Sequence, residues 1–183
     1  MRIIAGQYKG RKIDFPKHIR PTQDKVRESV FNCLSGVVEG ASVLDLFAGS
    51  GAFGLEALSR GASGACFIDH DKKCTYTIHR NLEKLNIAGA DVEVFTQDAE
   101  RSLKILSRRG KVFDLVFLDP PYHKELAKKA LKTLLGSGIL HPRSFAVVES
   151  SKMDDLGLPL EGFVLLKELV YGNIKVCVFS IKP

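Results

Sequence analysis

The 183-residue chain has no tryptophan, only two methionines and only four cysteines. Cys33, Cys66, Cys74 and Cys177 are scattered, with no C-x-x-C pair and no histidine at zinc-ligand spacing. That excludes a zinc module and gives no support to a disulfide scaffold. Cys33, Cys66 and Cys177 fall in apolar segments and are expected to be buried, reduced thiols. The five histidines are equally dispersed, so no metal is expected. No apolar run approaches the roughly 18 residues of a membrane span. Met1-Arg2-Ile3-Ile4 leads into no signal-peptide core. A cytoplasmic chain without a membrane partner is the expectation.

Positive charge is abundant, and it is unevenly placed. Residues 1–27 hold Arg2, Lys9, Arg11, Lys12, Lys17, Arg20, Lys25 and Arg27 against Asp14 and Asp24, an excess equal to the whole chain's net charge of +6. The remainder is formally neutral. A basic end beside a neutral body points to a polyanion, nucleic acid above all. Arg2, Lys9, Arg11, Lys12, Arg20 and Arg27 are the candidate phosphate contacts; a merely solvated terminus is the ordinary alternative.

Residues 2–6 and 11–15 are strand-like and flank Gln7-Tyr8-Lys9-Gly10, which predicts a basic β-hairpin over 1–20. Thr22 is placed to cap a helix running to about Val38, with Val26, Val30, Leu34, Val37 and Val38 on one face. Strand and helix patterns then alternate. Strands are expected over 42–47, 64–69, 91–96, 112–118 and 144–149, with helices over 53–60, 71–85, 98–108 and 124–135. Strands over 163–170 and 174–181 close the chain as an antiparallel hairpin around Gly172-Asn173. This alternation predicts an α/β fold with a mostly parallel sheet and helices on both faces, in a single domain over 1–183.

In such sheets ligands bind at the carboxyl ends of the strands. Asp45, Gly49, Asp69, Asp98 and Asp119 all fall there. Gly49-Ser50-Gly51-Ala52-Phe53-Gly54 matches G-x-G-x-x-G between a strand and a helix, with Asp69 twenty residues beyond Gly49. The glycines admit a ligand close to the backbone, and an acid at that spacing can bind both hydroxyls of a ribose. Dinucleotides and S-adenosylmethionine both suit this geometry. Asp45 favours the second, because a carboxylate attracts an ammonium and a sulfonium but opposes a pyrophosphate. Asp98 is placed to accept from an adenine amino group, or simply to cap the next helix.

Asp119-Pro120-Pro121-Tyr122 ends the strand over 112–118. The two prolines lack N–H groups and leave carbonyls able to accept, Asp119 supplies another acceptor, and Tyr122 supplies a ring on which a planar base can stack. Lys124, Lys128, Lys129 and Lys132 form a second basic stripe, for which a solvated helix face is the ordinary reading.

With Asp45-Leu46-Phe47-Ala48-Gly49-Ser50-Gly51 and Asp119-Pro120-Pro121-Tyr122 together, the chain resembles a class I S-adenosylmethionine-dependent amino-methyltransferase. Arg2-Ile3-Ile4-Ala5-Gly6-Gln7-Tyr8-Lys9-Gly10-Arg11, Arg20-Pro21-Thr22, Val26-Arg27-Glu28, Gly54 to Ala62 and the closing Tyr171-Gly172 extend the likeness to the RsmD family of 16S ribosomal RNA guanine-N2 methyltransferases. The resemblance implies a Rossmann-like sheet of seven strands with the last antiparallel, S-adenosylmethionine as methyl donor, S-adenosylhomocysteine as product, and 16S ribosomal RNA or a small-subunit assembly particle as partner of a monomeric enzyme. It implies that Asp45 with Phe47, Ala48, Gly49, Ser50 and Gly51 holds the methionine moiety, Asp69 beside His70 the ribose, Asp98 beside Ala99 the adenine, and Asp119, Pro120, Pro121 and Tyr122 the target base. Asp69 is one methylene shorter than the glutamate common at this position in related enzymes. The Asp-Pro-Pro-Tyr motif is shared with DNA adenine-N6 and cytosine-N4 methyltransferases. A nicotinamide-dependent oxidoreductase would explain the glycine loop and Asp69 alone, and a noncatalytic RNA-binding module the basic end alone.

Overall fold

The computed structural model describes residues 1–16, 23–87, 90–121 and 126–182. Helix α1 (Asp24–Cys33) precedes the alternating units β1 (Ser42–Leu46), α2 (Ala52–Ser59), β2 (Gly64–Asp69), α3 (Lys72–Leu85), β3 (Asp91–Thr96), α4 (Ala99–Arg108), β4 (Phe113–Leu118), α5 (Leu126–Leu135) and β5 (Leu140–Ser151). Strands β6 (Phe163–Tyr171) and β7 (Ile174–Ile181) close the chain.

The strands form one sheet in the order β3-β2-β1-β4-β5-β7-β6. β1 to β5 pair in parallel. β7 alone runs against them, because it pairs antiparallel with both β5 and β6. This is the seven-stranded Rossmann-like sheet with an antiparallel last strand that the alternation and the resemblance lead one to expect. The order reverses at β1 and β4, so the ends of these two strands open the crevice where an α/β sheet binds its ligand.

The apolar runs of the central strands are buried on both faces. Val43, Phe67, Leu115, Phe117 and Val147 pack with Val30 and Phe31 of α1, Phe53 of α2 and Ile78 of α3. Leu44, Ile68, Val116, Leu118 and Val148 pack on the other side with Leu103 of α4 and Leu131 of α5. Stacked Phe53 and Phe117 rings, 4.7 Å between centroids, lock α2 to the middle of the sheet.

Three expectations change. Helix α1 stops at Cys33 rather than near Val38, because the chain turns through Gly36 at φ +83°. Gln23, at its N-cap, makes no side-chain cap bond, and Thr22 lies outside the described residues. Cys33 is exposed, whereas Cys66, Cys74 and Cys177 are buried. Burial pushes the Cys66 and Cys74 thiols up to about 12 and that of Cys177 to about 11, so these three are inert.

The basic amino-terminal hairpin is short, with one antiparallel bridge between Arg2 and Lys12. Its remaining backbone donors turn to α2. Ile4 and Ala5 donate to the Glu56 carboxylate at 2.8 and 3.0 Å, and Gln7 and Tyr8 donate to the Ser59 carbonyl and hydroxyl at 2.7 and 3.0 Å. Ile3, Tyr8 and Ile13 are buried in the core. Gly6 sits at φ +80°, and a Cβ there would fall 1.8 Å from the Ser59 carbonyl oxygen. Glycine is required by both conformation and space. The segment is therefore part of the folded body as well as a carrier of charge.

Candidate active site

The site is built on the carboxyl ends of β1, β2 and β4, beside the loop that enters α2. Phe47 begins the turn at φ +65°, a left-handed conformation uncommon for a bulky residue. Past it, the Ala48 N–H donates to the Ile68 carbonyl at 2.9 Å, which carries the ladder one step beyond the strand. The glycine loop then folds over two carboxylates. Gly49 N–H donates to Asp69 Oδ2 at 2.8 Å, and Gly54 N–H donates to Asp45 Oδ2 at 2.9 Å. A Cβ on Gly54 would lie 2.3 Å from the buried Phe67 ring, so glycine lets α2 approach the sheet.

Asp45 is almost wholly buried. Removal from water is the largest influence on it, and with nearby Asp69 this raises its carboxyl to about 7 against the opposing Gly54 hydrogen bond. A buried carboxylate so placed favours an incoming cation. Asp69 is also buried, and its Oδ1 accepts from the Asp71 N–H at 2.8 Å. Both oxygens are thus oriented by backbone donors, and each retains lone-pair capacity for a hydroxyl. The short aspartate arm is what allows the carboxylate to reach back to Gly49. His70 is exposed, with Nδ1 3.5 Å from Asp69 Oδ1.

Asp98 caps α4. Its Oδ1 accepts from the Glu100 and Arg101 N–H groups at 2.9 and 3.2 Å, and Ala99 begins the helix. The capping alternative is therefore realised, and any contact to an adenine would have to coexist with it. Asp119 is half-buried, and its N–H reaches the Leu46 carbonyl at 3.4 Å, so the motif starts while the chain still lies against β1. Pro120 is buried and Pro121 exposed. Tyr122, Arg20 and Lys124 lie outside the described residues.

The basic end divides. Arg2, Lys9 and Lys12 are exposed. Arg27, expected to grip phosphate, is instead fully buried, donating to the Arg2 carbonyl at 2.7 Å and to Asp24 at 2.9 Å. Its position on the apolar face of α1, between Val26 and Val30, turns it inward. Arg11 donates to the carbonyls of Lys84 and Leu85, closing the carboxyl end of α3. In the second stripe, Lys128 faces Asp155 at 3.9 Å and Lys129 faces Glu100 at 2.5 Å.

Two structural residues escaped the sequence reading. Asn81 is fully buried on α3; its Nδ2 donates to the carbonyls of Ser50 and Asp14, both at 3.0 Å, and its Oδ1 accepts from the Asp14 N–H at 2.8 Å. It ties the glycine loop to the amino-terminal segment. Glu56, a lone acid in an apolar helix, holds the same segment to α2. The visible signals were an asparagine in register with Cys74, Ile78 and Leu85, and a carboxylate where the pattern called for an apolar residue.

A family model described as "Conserved hypothetical protein 95" matches residues 1–180. Ribosomal RNA small subunit methyltransferase D of Haemophilus influenzae is 39% identical over 176 residues, covering 95% of this chain and 90% of that protein. The chain belongs to the RsmD family. The Escherichia coli family member of the same name is 37% identical over 176 residues, covering 95% of this chain and 86% of that protein. The solved structure of Escherichia coli yhhF superposes with a TM-score of 0.86 at 35% identity, covering 100% of this chain and 98% of that one.

Proposed function

We propose that this protein transfers a methyl group from S-adenosylmethionine to the exocyclic N2 of a guanine in 16S ribosomal RNA. The observation that carries the reading is one strand-end edge with two parts. Buried Asp45 and Asp69 are bound by the glycine loop, and Asp119-Pro120 lies on the neighbouring strand. Membership of the RsmD family supports it. In this reading 1–183 acts as one methyltransferase domain.

The residues fit the donor. Asp45 would face its cationic methionine end, the Gly49 to Gly51 backbone would pass beneath it, and Asp69 would accept from the ribose hydroxyls. When bound, S-adenosylmethionine supplies a methyl group already activated by its sulfonium. The guanine amino group is a poor nucleophile because its lone pair is delocalised into the ring. Asp119 and the Pro120 carbonyl, both acceptors, would take its two N–H groups, favouring a pyramidal nitrogen with its lone pair directed at the methyl carbon. Tyr122 would stack on the base, a contact worth about 1–3 kcal/mol in nucleic-acid binders. Arg2, Lys9, Lys12 and Arg20 would meet phosphates and add affinity rather than base choice. A nicotinamide cofactor fits less well, since Asp45 would oppose its pyrophosphate.

The direct test is transfer of a labelled methyl from S-adenosylmethionine to small-subunit RNA, free and as an assembly particle, followed by mass spectrometry of the nucleosides. N2-methylguanosine is the expected product. Label found in methyladenosine, in methylcytidine or only in DNA would overturn the reading.

Asp45 adds a pH signature. Its raised carboxyl is largely protonated below about pH 7, and a cation binds better to the carboxylate. Donor affinity should therefore climb with pH by up to about tenfold per unit below 7 and level off above it. Calorimetry should show proton release on binding at pH 6 that fades by pH 8. Asp45→Asn should weaken binding and flatten the profile; an unflattened profile would assign the proton elsewhere.

A further inference from the structure

We propose that Glu149 reads the N1–H of the target base and so makes the pocket selective for guanine, an inference that rests on the guanine-N2 reading above. β4 and β5 pair in parallel through Phe117 with Val147 and Leu118 with Val148, so the next rung sets Glu149 beside Asp119. Neighbouring parallel strands lie about 4.8 Å apart. Side-chain alternation gives the direction. Phe117 and Val147 belong to the core under α1 and α2, whereas Leu118 and Val148 belong to the opposite one. Asp119 and Glu149, two residues beyond the first pair, return to the α1 and α2 side. Asp45 and Asp69 follow Val43 and Phe67 on that same side.

Glu149 does not sit on a mobile tip. β5 continues through it to Ser151, and Glu149 pairs with Val176 of β7, which is itself buried. Its side chain is only 3% exposed. A carboxylate is costly at such a place unless a polar role recovers the cost.

Base chemistry supplies that role. Guanine presents N1–H and the 2-amino group side by side as donors. With Asp119 and the Pro120 carbonyl on the amino group, a further acceptor is needed for N1–H, and Glu149 is the adjacent acid on the same face. Adenine and cytosine carry their amino groups next to an unprotonated ring nitrogen, whose lone pair would confront a carboxylate. Uracil has a ring N–H but no amino group to methylate. Asp119 thus serves the reacting nitrogen, and Glu149 serves base identity.

The test replaces the guanine that the wild-type enzyme methylates with 2-aminopurine, which keeps the 2-amino group and lacks N1–H. Both RNAs are presented in whichever form the enzyme modifies, free or assembled, with saturating S-adenosylmethionine. Wild-type kcat/KM should favour guanine by about a hundredfold or more, because an unmatched buried polar group is heavily penalised. In Glu149→Gln the amide can offer N–H to the bare ring nitrogen, and the preference should fall to within about tenfold. Asp119→Asn should slow both substrates alike, and donor affinity should be unchanged in the Gln variant, which reports an intact fold. Equal losses on both substrates in Glu149→Gln, with the wild-type ratio preserved, would make Glu149 merely structural and overturn the proposal. So would a wild-type enzyme indifferent to 2-aminopurine. Absence of any N2-methylguanosine with the wild type would instead strike the underlying reading, and this proposal with it.

Discussion

Asp119→Ala should lower kcat for methyl transfer by about a hundredfold or more while leaving S-adenosylmethionine affinity within about twofold. The magnitude is that of losing one preorganised partner at the reacting group. The selectivity between the two measurements follows from geography. Asp119 is on β4, whereas the groups assigned to the donor's methionine and ribose, Asp45 and Asp69, are on β1 and β2. Asp119→Asn retains a side-chain carbonyl in place of the carboxylate and should recover part of the lost rate, since an amide oxygen still accepts an amino N–H. Single-turnover kinetics at saturating donor, paired with calorimetry, separates the two effects. Full activity in the Ala variant would remove Asp119 from the chemistry.

The second large effect concerns folding. Glu56→Ala should cost about 3–5 kcal/mol, the range for breaking a buried charged network by removing one partner. Glu56 is fully buried and accepts from Ile4, Ala5 and Arg60 Nε, the last at 2.8 Å. Alanine would strand two backbone donors and leave the Arg60 guanidinium, which lies over the Phe31 ring at 4.7 Å, without its carboxylate. Against a typical stability of about 5–15 kcal/mol this is a large fraction. For a chain of this size the melting temperature should fall on the order of 10 °C. Urea denaturation measures the energy, and hydrogen exchange at Ile4 and Ala5 shows whether the clasp itself has opened. Unchanged protection at those amides would mean that other contacts hold the segment.

The clasp also reaches the site. Asn81 joins Asp14 of the amino-terminal segment to Ser50 of the glycine loop. Deleting residues 1–15 to remove their charge would therefore strip Ile3, Tyr8 and Ile13 from the core as well. Charge reversal at exposed Lys9 and Lys12 is the cleaner way to probe RNA affinity.

Local patterns in the chain already carried the architecture. Alternating apolar runs and helical periods have physical periods of 2 and 3.6, and they specified seven strands and the intervening helices with ends displaced by a few residues. Glycine spacing and strand-end acids likewise marked the ligand edge, because glycine and carboxylate perform there by virtue of chemistry that a neighbour need not modify. The direction of a single long side chain is different, since it depends on what packs above it. Arg27 reads as a surface charge in a list of basic residues, yet its place between Val26 and Val30 and the nearby Arg2 carbonyl draw it inside. Arg11 likewise went to helix carbonyls, and Asp98 to a cap.

The sequence by itself determined the fold class, the cofactor loop, the Asp119-Pro120 motif and the likeness to the RsmD family, all of which reside in contiguous stretches. The tertiary structure alone decided which charges remain available. It also decided that the basic end is clasped by Glu56 and Asn81, and that Glu149 stands on the rung beside Asp119. Those facts depend on strand order and register between segments distant in the chain, and no local spacing encodes them.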